Sequence, residues 1–141
     1  MPLKNYTTKI PATQTVGEIQ GILASHGARK VMMDYGNDGK VEAVTFALDT
    51  AGGIRGFTLR ASPEGALNAL RKQRITADEA QAERVAWRNV KDWIDAQIAL
   101  IEAEQATMEE LFLPQMLGQG GETLYELYAG GRMALGNGEV C

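Results

Sequence analysis

Two arginines placed one helical turn apart are the residues of this sequence best suited to hold an anionic ligand. Arg84 and Arg88 stand four positions apart in residues 82–97, a run without glycine or proline, and this spacing brings side chains together on one helical face. Their guanidinium groups supply paired donors for phosphate. Trp87 between them offers a ring on which a base stacks, and Asn89 offers an amide to ribose hydroxyls. The pattern predicts a basic recess for a nucleotide.

A solvated helix face is the alternative explanation of the same arginines. Glu83, Asp92 and Asp95 lie along the same helix, where acids three or four residues from a base neutralise it. Without an acid or a bound anion between them, Arg84 and Arg88 repel each other by a few tenths of a kcal/mol. The sequence leaves both explanations open.

Three further residues belong to the predicted ligand site. Arg60 ends the third predicted strand and directly precedes a helix starting at Ser62, whose free N–H groups and positive dipole end favour phosphate. Phe57 lies on the same strand, although an edge strand with basic ends explains both residues equally well. Arg29 opens the first predicted strand and faces either ligand or solvent.

Catalytic and metal-binding patterns are not found in the sequence. One histidine, His26, and one cysteine, Cys141, provide no internal disulfide, cysteine-rich zinc site or multi-histidine site. The G-x-S-x-G and Walker motifs are also missing. Asp92 and Asp95 are three residues apart, but such helical pairs are usually structural. We therefore predict no catalytic residue, metal or cofactor.

Turn and capping residues predict the elements that must position these side chains. Capping boxes are expected at Thr15 and Thr76, and Gly36–Gly39 is typical of a hairpin turn. The predicted elements are a helix over 16–26, strands over 31–35, 41–48 and 54–59, a helix from 63, a long helix over 77–104, and short helical segments over 107–112 and 122–128. This order predicts an α+β fold: a short N-terminal helix and an antiparallel β meander packed against a long C-terminal helix, with further short helices.

The long helix has an expected core stripe and an expected surface for self-association. The stripe comprises positions 86, 90, 93, 94, 97, 98 and 101, with Ile98, Leu100 and Ile101 forming the outer association face. Residues 1–117 are predicted to form one α+β nucleotide-signal-binding domain. Residues 118–141 are predicted to be a flexible or oligomer-docking tail.

The charge distribution favours a small anion over a polymer. The 141 residues carry a net charge of −4, but residues 55–91 hold eight bases and four acids, and residues 92–141 hold one base and nine acids. An acidic protein with a locally basic middle disfavours extended nucleic acid. No run in the sequence approaches the roughly 20 apolar residues of a membrane span. Residues 1–5 also lack the apolar stretch of a signal peptide, so we predict a cytoplasmic protein.

The order of several motifs resembles one family of small phage and prophage proteins. These are Thr15-Val16-x-Glu18-Ile19 followed by a glycine-turned hairpin, then Arg84-Val85-Ala86-Trp87-Arg88-x-Val90-Lys91-Asp92-Trp93, then Leu111-Phe112-Leu113-Pro114. The likeness covers roughly Lys9 to Pro114, and the tryptophan–arginine helix is its most specific part. It is similar to the Thoeris anti-defence sponge family, which sequesters the signalling nucleotide made by TIR-domain immune enzymes.

The resemblance implies a function in the cytoplasm of the bacterial host. Members of the family are oligomeric α+β proteins, which here implies a dimer or hexamer. Their recessed pockets hold a cyclic ADP-ribose isomer without cleaving it, and some members hold cyclic oligonucleotides at a separate site between subunits. The contact residues of the family are not aligned onto this chain, so the site residues above rest on the sequence patterns alone.

Two other functions stay open at this point. The acidic C-terminal third suits a phage accessory module that binds a basic host protein. Asp92 and Asp95, with a divalent cation, would suit a small nucleotide hydrolase.

Overall fold

Three antiparallel strands and five α-helices make up the part of the chain that the computed structural model describes, residues 1–133 and 135–136. In chain order they are α1 (Ala12–Ser25), β1 (Lys30–Tyr35), β2 (Val41–Thr50), β3 (Gly53–Arg60), α2 (Pro63–Lys72), α3 (Glu79–Glu102), α4 (Met108–Phe112) and α5 (Leu124–Ala129). A short 3-10 helix, Leu113–Gln115, follows α4. The predicted α+β class is confirmed.

The sheet is the predicted meander, with strand order β1-β2-β3. In its first turn the amide of Gly36 donates to the carbonyl of Lys40 at 2.9 Å, and Gly39 adopts a φ of 80°. That left-handed conformation is one that glycine adopts without steric cost. The β1–β2 register shifts between Asp34 and Tyr35, which is the signature of a β-bulge.

Strand register divides the sheet into an apolar inner face and a mostly polar outer face. Phe46 pairs with Val31 on one side and Phe57 on the other, and side chains of directly opposed residues share a face. The Phe46 and Phe57 rings stack with centroids 5.3 Å apart. We call the opposite side, which carries Asp34, Thr45 and Thr58, the outer face.

The core lies between the inner face of the sheet and the helices α1, α3 and α4. From α1 it takes Ile19 and Leu23, both fully buried, and from α3 it takes Trp87, Ile94 and Ile98. The predicted association face on α3 is therefore wrong at Ile98, which is 6% exposed and belongs to the core.

Two predicted capping boxes are wrong because the helices begin elsewhere. Helix α1 starts one turn early, after Pro11, and Thr15 is fully buried within it rather than capping it. Helix α3 is capped by Asp78 instead of Thr76, with the Asp78 carboxylate accepting from the amide of Gln81 at 2.8 Å. The helix start at Ser62 is as predicted, with the Ser62 hydroxyl as its cap, and Thr107 caps the short helix expected there.

The chain beyond residue 117 stays attached to the sheet. Met116 forms a bridge with Phe57 of β3, and Leu117 forms one with Thr123. A capping box between Thr123 and Glu126 then starts α5, so the boundary predicted at residue 117 does not coincide with a structural break. The rest of the predicted tail, residues 134 and 137–141, lies outside the described residues and includes Cys141.

Candidate ligand-binding site

The guanidinium of Arg84 is engaged by a neighbour on its own helix. Its Nε donates to Oε1 of Gln81 at 2.9 Å. The Gln81 amide in turn donates to the backbone carbonyls of Tyr6 and Thr8, at 3.0 and 2.9 Å. Arg84 therefore orients the glutamine that ties the N-terminal segment to α3, which corrects its predicted role in a phosphate recess.

Arg88 and Asn89 are also engaged within the protein. Arg88 pairs with Glu18 of α1, with 2.6 Å between guanidinium and carboxylate, and its side chain is 17% exposed. The Asn89 side-chain carbonyl accepts from the amide of Asn5 at 2.9 Å. These contacts join α1 and the N-terminal segment to α3. Arg88 and Asn89 thus take part in a polar interface within the protein, whereas the Lys91–Asp95 pair lies on a partly exposed part of the same helix.

The two aromatic residues predicted to stack on a base are core residues. Trp87 is 1% exposed and Phe57 is 0% exposed, so neither ring presents a face to a ligand. Burying such large apolar surfaces is the dominant stabilising term in folding. Their burial gives no support to the prediction that they stack on a ligand.

The acidic pair considered for a cation does not converge on one point. Asp92 accepts from the amide of Asn5 at 2.7 Å and pairs with Lys4 at 3.3 Å. Asp95 instead pairs with Lys91, one turn back on α3, at 2.7 Å. Within the described ranges, no group of three or more histidine, cysteine or acidic side chains is placed to hold a metal ion.

Asp92 is expected to make folding sensitive to acid. Although burial raises its pKa, hydrogen bonds from Asn5 and Lys4 and the charges of Lys4 and Arg88 lower it overall. A carboxylate whose pKa is lower in the folded state stabilises the fold above the unfolded pKa of about 3.9, and this stabilisation is lost as pH falls through the folded pKa. Urea unfolding between about pH 6 and pH 3 should therefore show a smaller acid-induced loss of stability for Asp92→Asn than for the natural protein.

Asp95→Asn is the matched control for this pH experiment, because it removes a carboxylate from the same helix without touching the N-terminal segment. Identical pH profiles for the two variants would contradict the role assigned to Asp92.

A groove of about 640 Å³ lies over the outer face of the sheet, and we call it the outer-face groove. Asp34, Thr45 and Thr58 form part of its floor, and the segments at Ala61–Pro63 and Leu117–Gly121 contribute to its walls. Its volume falls within the range of small-molecule sites, about 300–1,000 Å³.

The floor of the groove contains a directional chain of hydrogen bonds across all three strands. The Thr45 hydroxyl donates to Oδ2 of Asp34 at 2.7 Å, and the hydroxyls of Thr45 and Thr58 are 3.2 Å apart. A hydroxyl has one proton to give, so Thr58 must donate to Thr45. The Asp34 carboxylate is therefore the acceptor at which this chain of hydrogen bonds ends.

A second row of the floor places a carboxylate and a guanidinium on either side of a small residue. Asp34 and Arg60 both pair with Ala43, one from each neighbouring strand. Two strand spacings separate their backbones by about 10 Å. Ala43 lines the groove and is 5% exposed, so a ligand in this row would meet the Asp34 carboxylate at one end and the Arg60 guanidinium at the other.

Acidic groups outnumber basic groups around the groove. Its charged lining consists of Asp34, Asp38, Glu42, Glu83, Lys40 and Arg60. Lys40 contacts Glu83 at 3.6 Å, and Arg60 contacts Glu126 of α5 at the same distance. Hydrogen bonds from the amide and hydroxyl of Thr123 lower the pKa of Glu126, and the charge of Arg60 adds to this. The basic recess inferred from the net charge of residues 55–91 is therefore wrong for this groove.

Of the seven predicted site residues, only Arg60 lines the outer-face groove. Arg29 pairs with Asp49 at 2.9 Å on an exposed part of the sheet. Sequence reasoning missed Asp34, Thr45 and Thr58. The sequence did contain a signal for these residues, because all three are polar and stand within otherwise apolar strands.

Comparison of the chain with protein-family models, curated proteins and solved structures found no match. The resemblance to the sponge family therefore stays a prediction. None of the helices in the described ranges combines the length and apolar character needed to cross a bilayer.

Proposed function

We propose that the protein is a non-catalytic binder of a small nucleotide, held in the outer-face groove. The observation that carries this proposal is the cross-strand row in which Asp34 and Arg60 flank Ala43. A ribose diol donates hydrogen bonds to a carboxylate, and a phosphate accepts paired hydrogen bonds from a guanidinium. One nucleotide supplies both groups in a single ligand.

The charge of the groove limits the phosphate content of this ligand. Only Arg60 and Lys40 are positive among the lining residues, and each has an acidic neighbour at 3.6 Å. Exposed pairs of this kind contribute about 0–1 kcal/mol, so a phosphate displaces Glu126 from Arg60 at small cost. A compact cyclic nucleotide with one or two phosphates suits this arrangement better than a long polyanion.

The more specific proposal is sequestration of a cyclic nucleotide immune signal by a phage protein in the bacterial cytoplasm. The ligand would be a cyclic ADP-ribose isomer, with cyclic oligonucleotides as further ligands. A sponge needs tight binding of the ground state, whereas an enzyme needs stronger binding of the transition state. This identity rests on the family resemblance, and the groove supplies a site of suitable size and polarity.

A homo-oligomer, either a dimer or a hexamer, belongs to the same proposal. Nanomolar capture corresponds to about 12 kcal/mol, and sites that achieve it bury most of the ligand surface. The outer-face groove lies on one side of a three-stranded sheet. A second subunit would supply the missing wall.

Calorimetric titration with cyclic ADP-ribose isomers and cyclic dinucleotides tests the proposed site. We expect binding by the natural chain and about tenfold weaker binding by Arg60→Ala, because charge-assisted hydrogen bonds contribute about 1.5–3 kcal/mol and Glu126 already competes for the guanidinium. Arg29→Ala is the matched control, since it removes an exposed arginine outside the groove. Ligand recovered after heating the complex should be chemically intact.

Three results would count against the proposal. If no nucleotide of either class binds, the function is wrong, and if Arg60→Ala binds like Arg29→Ala, the site is wrong. Chemically altered ligand would indicate an enzyme. Light scattering on the same samples reports the oligomeric state, and a ligand-bound monomer at micromolar concentration would exclude a wall supplied by a second subunit.

A further inference from the structure

The sheet has one edge that is partly covered and one that is open. At the β3 edge, Met116 forms a bridge with Phe57, and the amide of Leu117 donates to the carbonyl of Gly56 at 2.7 Å. At the other edge, no described strand pairs with β1 from outside. Beyond its ladder with β2, the backbone of residues 30–35 forms no hydrogen bond within the described chain. The unpaired N–H and C=O groups of such an edge are a template for another strand.

The residues of β1 give this edge little protection against pairing. Native sheets shield an edge with prolines, bulges or charged side chains. β1 contains no proline, and its bulge lies at the end of the strand, between Asp34 and Tyr35. An apolar run of Val31, Met32 and Met33 forms its centre. Met32 is 58% exposed, and it lies on the outer face because it pairs with Thr45.

The charges along β1 match those of a second copy of the same strand. An antiparallel copy related by a two-fold axis makes self-complementary pairs, i with j and j with i. Directly opposed residues share a face of the sheet, so the axis must pass through a residue rather than between two residues. When the axis passes through Met32, Lys30 of each copy lies opposite Asp34 of the other. Opposite charges placed in this way across antiparallel strands stabilise the pairing.

The neighbouring registers lack this complementarity. An axis through Val31 places Lys30 opposite Met32, and an axis through Met33 places Asp34 opposite Met32, so a charge faces an apolar side chain in both. The Met32 register also places Val31 opposite Met33 on the inner face, which continues the apolar layer from one copy to the other. It uses only the part of β1 that precedes the bulge.

Both charged residues are placed to make the pair. Lys30 is exposed, and none of the ion pairs found within the described chain involves it. Asp34 lines the outer-face groove on β1, the edge strand. The Cβ atoms of directly opposed residues lie about 4.5–5.5 Å apart, a distance that a lysine side chain spans. Lys30 of the second copy therefore adds a positive charge at the Asp34 end of a groove whose lining is mainly acidic.

We propose that two copies of the chain associate through their β1 edges, with Met32 at the two-fold axis and Lys30 of each copy paired with Asp34 of the other. The two three-stranded sheets then form one continuous sheet with both outer-face grooves on the same side. The role of Lys30 in the neighbouring groove rests on the proposed nucleotide function, whereas the association does not. Because the contact is limited to one short strand from each copy, we expect a reversible dimer whose population rises with protein concentration.

Charge-swap variants test both the edge and its register by sedimentation velocity. Lys30→Glu opposes two acids in both pairs of the dimer, and Asp34→Lys opposes two lysines. Each variant alone should dimerise at least about tenfold more weakly than the natural chain, because like charges directly opposite are destabilising. In an equimolar mixture both pairs again oppose an acid to a lysine, so a mixed dimer should form. Lys72→Glu makes the same charge change at an exposed position at the end of α2 and should dimerise like the natural chain.

Met32→Lys is a second test that leaves Asp34 and its hydrogen bond to Thr45 in place. It brings two ammonium groups together at the two-fold axis, so dimerisation should again weaken at least about tenfold. Circular dichroism of each variant shows whether the fold is retained.

The proposal is overturned if the natural chain stays monomeric at the highest concentration reached, or if Lys30→Glu and Met32→Lys dimerise as well as Lys72→Glu. The register is wrong if the two charge-swap variants, both folded, do not associate when mixed. Titration with cyclic dinucleotides separates this inference from the proposed function. A natural chain that binds nucleotide only as a monomer contradicts the dimer alone, and a dimer that binds no nucleotide contradicts the nucleotide function alone.

Discussion

Trp87→Ala is expected to lower the free energy of unfolding by about 3–5 kcal/mol, the cost of removing a large aromatic side chain from a packed core. Trp87 is 1% exposed and belongs to the cluster that joins α1, α3 and the inner face of the sheet. The substitution leaves a cavity that the surrounding elements fill only in part. Chemical denaturation followed by circular dichroism measures the change.

Trp93→Ala is the control for Trp87→Ala. It shows whether the loss of stability comes from the core position of Trp87 or from the loss of any tryptophan. Trp93 lies six residues later on the same helix, is 37% exposed, and contacts the edge of Phe112 with ring centroids 5.4 Å apart. Its replacement should cost about 1–2 kcal/mol. If Trp87→Ala were as stable as the natural chain and had lost only nucleotide binding, Trp87 would be a ligand residue after all.

Glu18→Ala is expected to lower the free energy of unfolding by about 2 kcal/mol, since it removes the carboxylate that hydrogen-bonds the Arg88 guanidinium and leaves Asp92 as the other acid whose charge acts on it. Arg88 is mostly shielded from water, with a side chain 17% exposed, whereas Glu18 is 36% exposed. Solvent at Glu18 keeps the cost below the 3–5 kcal/mol typical of a fully buried pair. Urea unfolding at neutral pH gives the measurement.

Replacing both Glu18 and Arg88 tests whether the stability lost in Glu18→Ala comes from the unpaired charge of Arg88. A Glu18→Ala, Arg88→Met double variant removes the unpaired charge along with its acid, so it should be more stable than Glu18→Ala alone. Asp95→Ala breaks the Lys91 pair, which lies between adjacent turns of α3, and should cost less than about 0.5 kcal/mol. Strict additivity of the Glu18 and Arg88 changes would mean that the two groups do not interact.

Local sequence signals predicted most of the fold. The glycine turn at residues 36–39 and the cap at Ser62 bound elements that the structure places close to the expected positions. These signals work because turn and cap chemistry involves residues only a few positions apart. The Thr15 capping box failed because α1 begins one turn earlier, after Pro11, and Glu18 instead contacts Arg88 at a separation of 70 residues. No local pattern reports such a partner.

The site was predicted less well because side-chain exposure depends on partners distant in sequence. One apolar stripe on α3 was expected, and Trp87 was therefore assigned to the polar face. Helices α1 and α2 both pack against α3. The buried part of the α3 surface is therefore wider than the predicted stripe and includes Ala82, Val85 and Trp87. The floor residues Asp34, Thr45 and Thr58 become neighbours only once the register of three strands is known.

The contacts that attach the N-terminal segment to α3 can form only late in synthesis. Glu18 cannot meet Arg88 until 70 further residues have been made, which takes roughly 4–14 s at 5–20 residues per second. Helix α1 and the three strands are made before α3, so during that interval the inner face of the sheet lacks the cover that Trp87 and Ile94 of α3 provide. Apolar surface exposed in this way makes an incomplete chain prone to association.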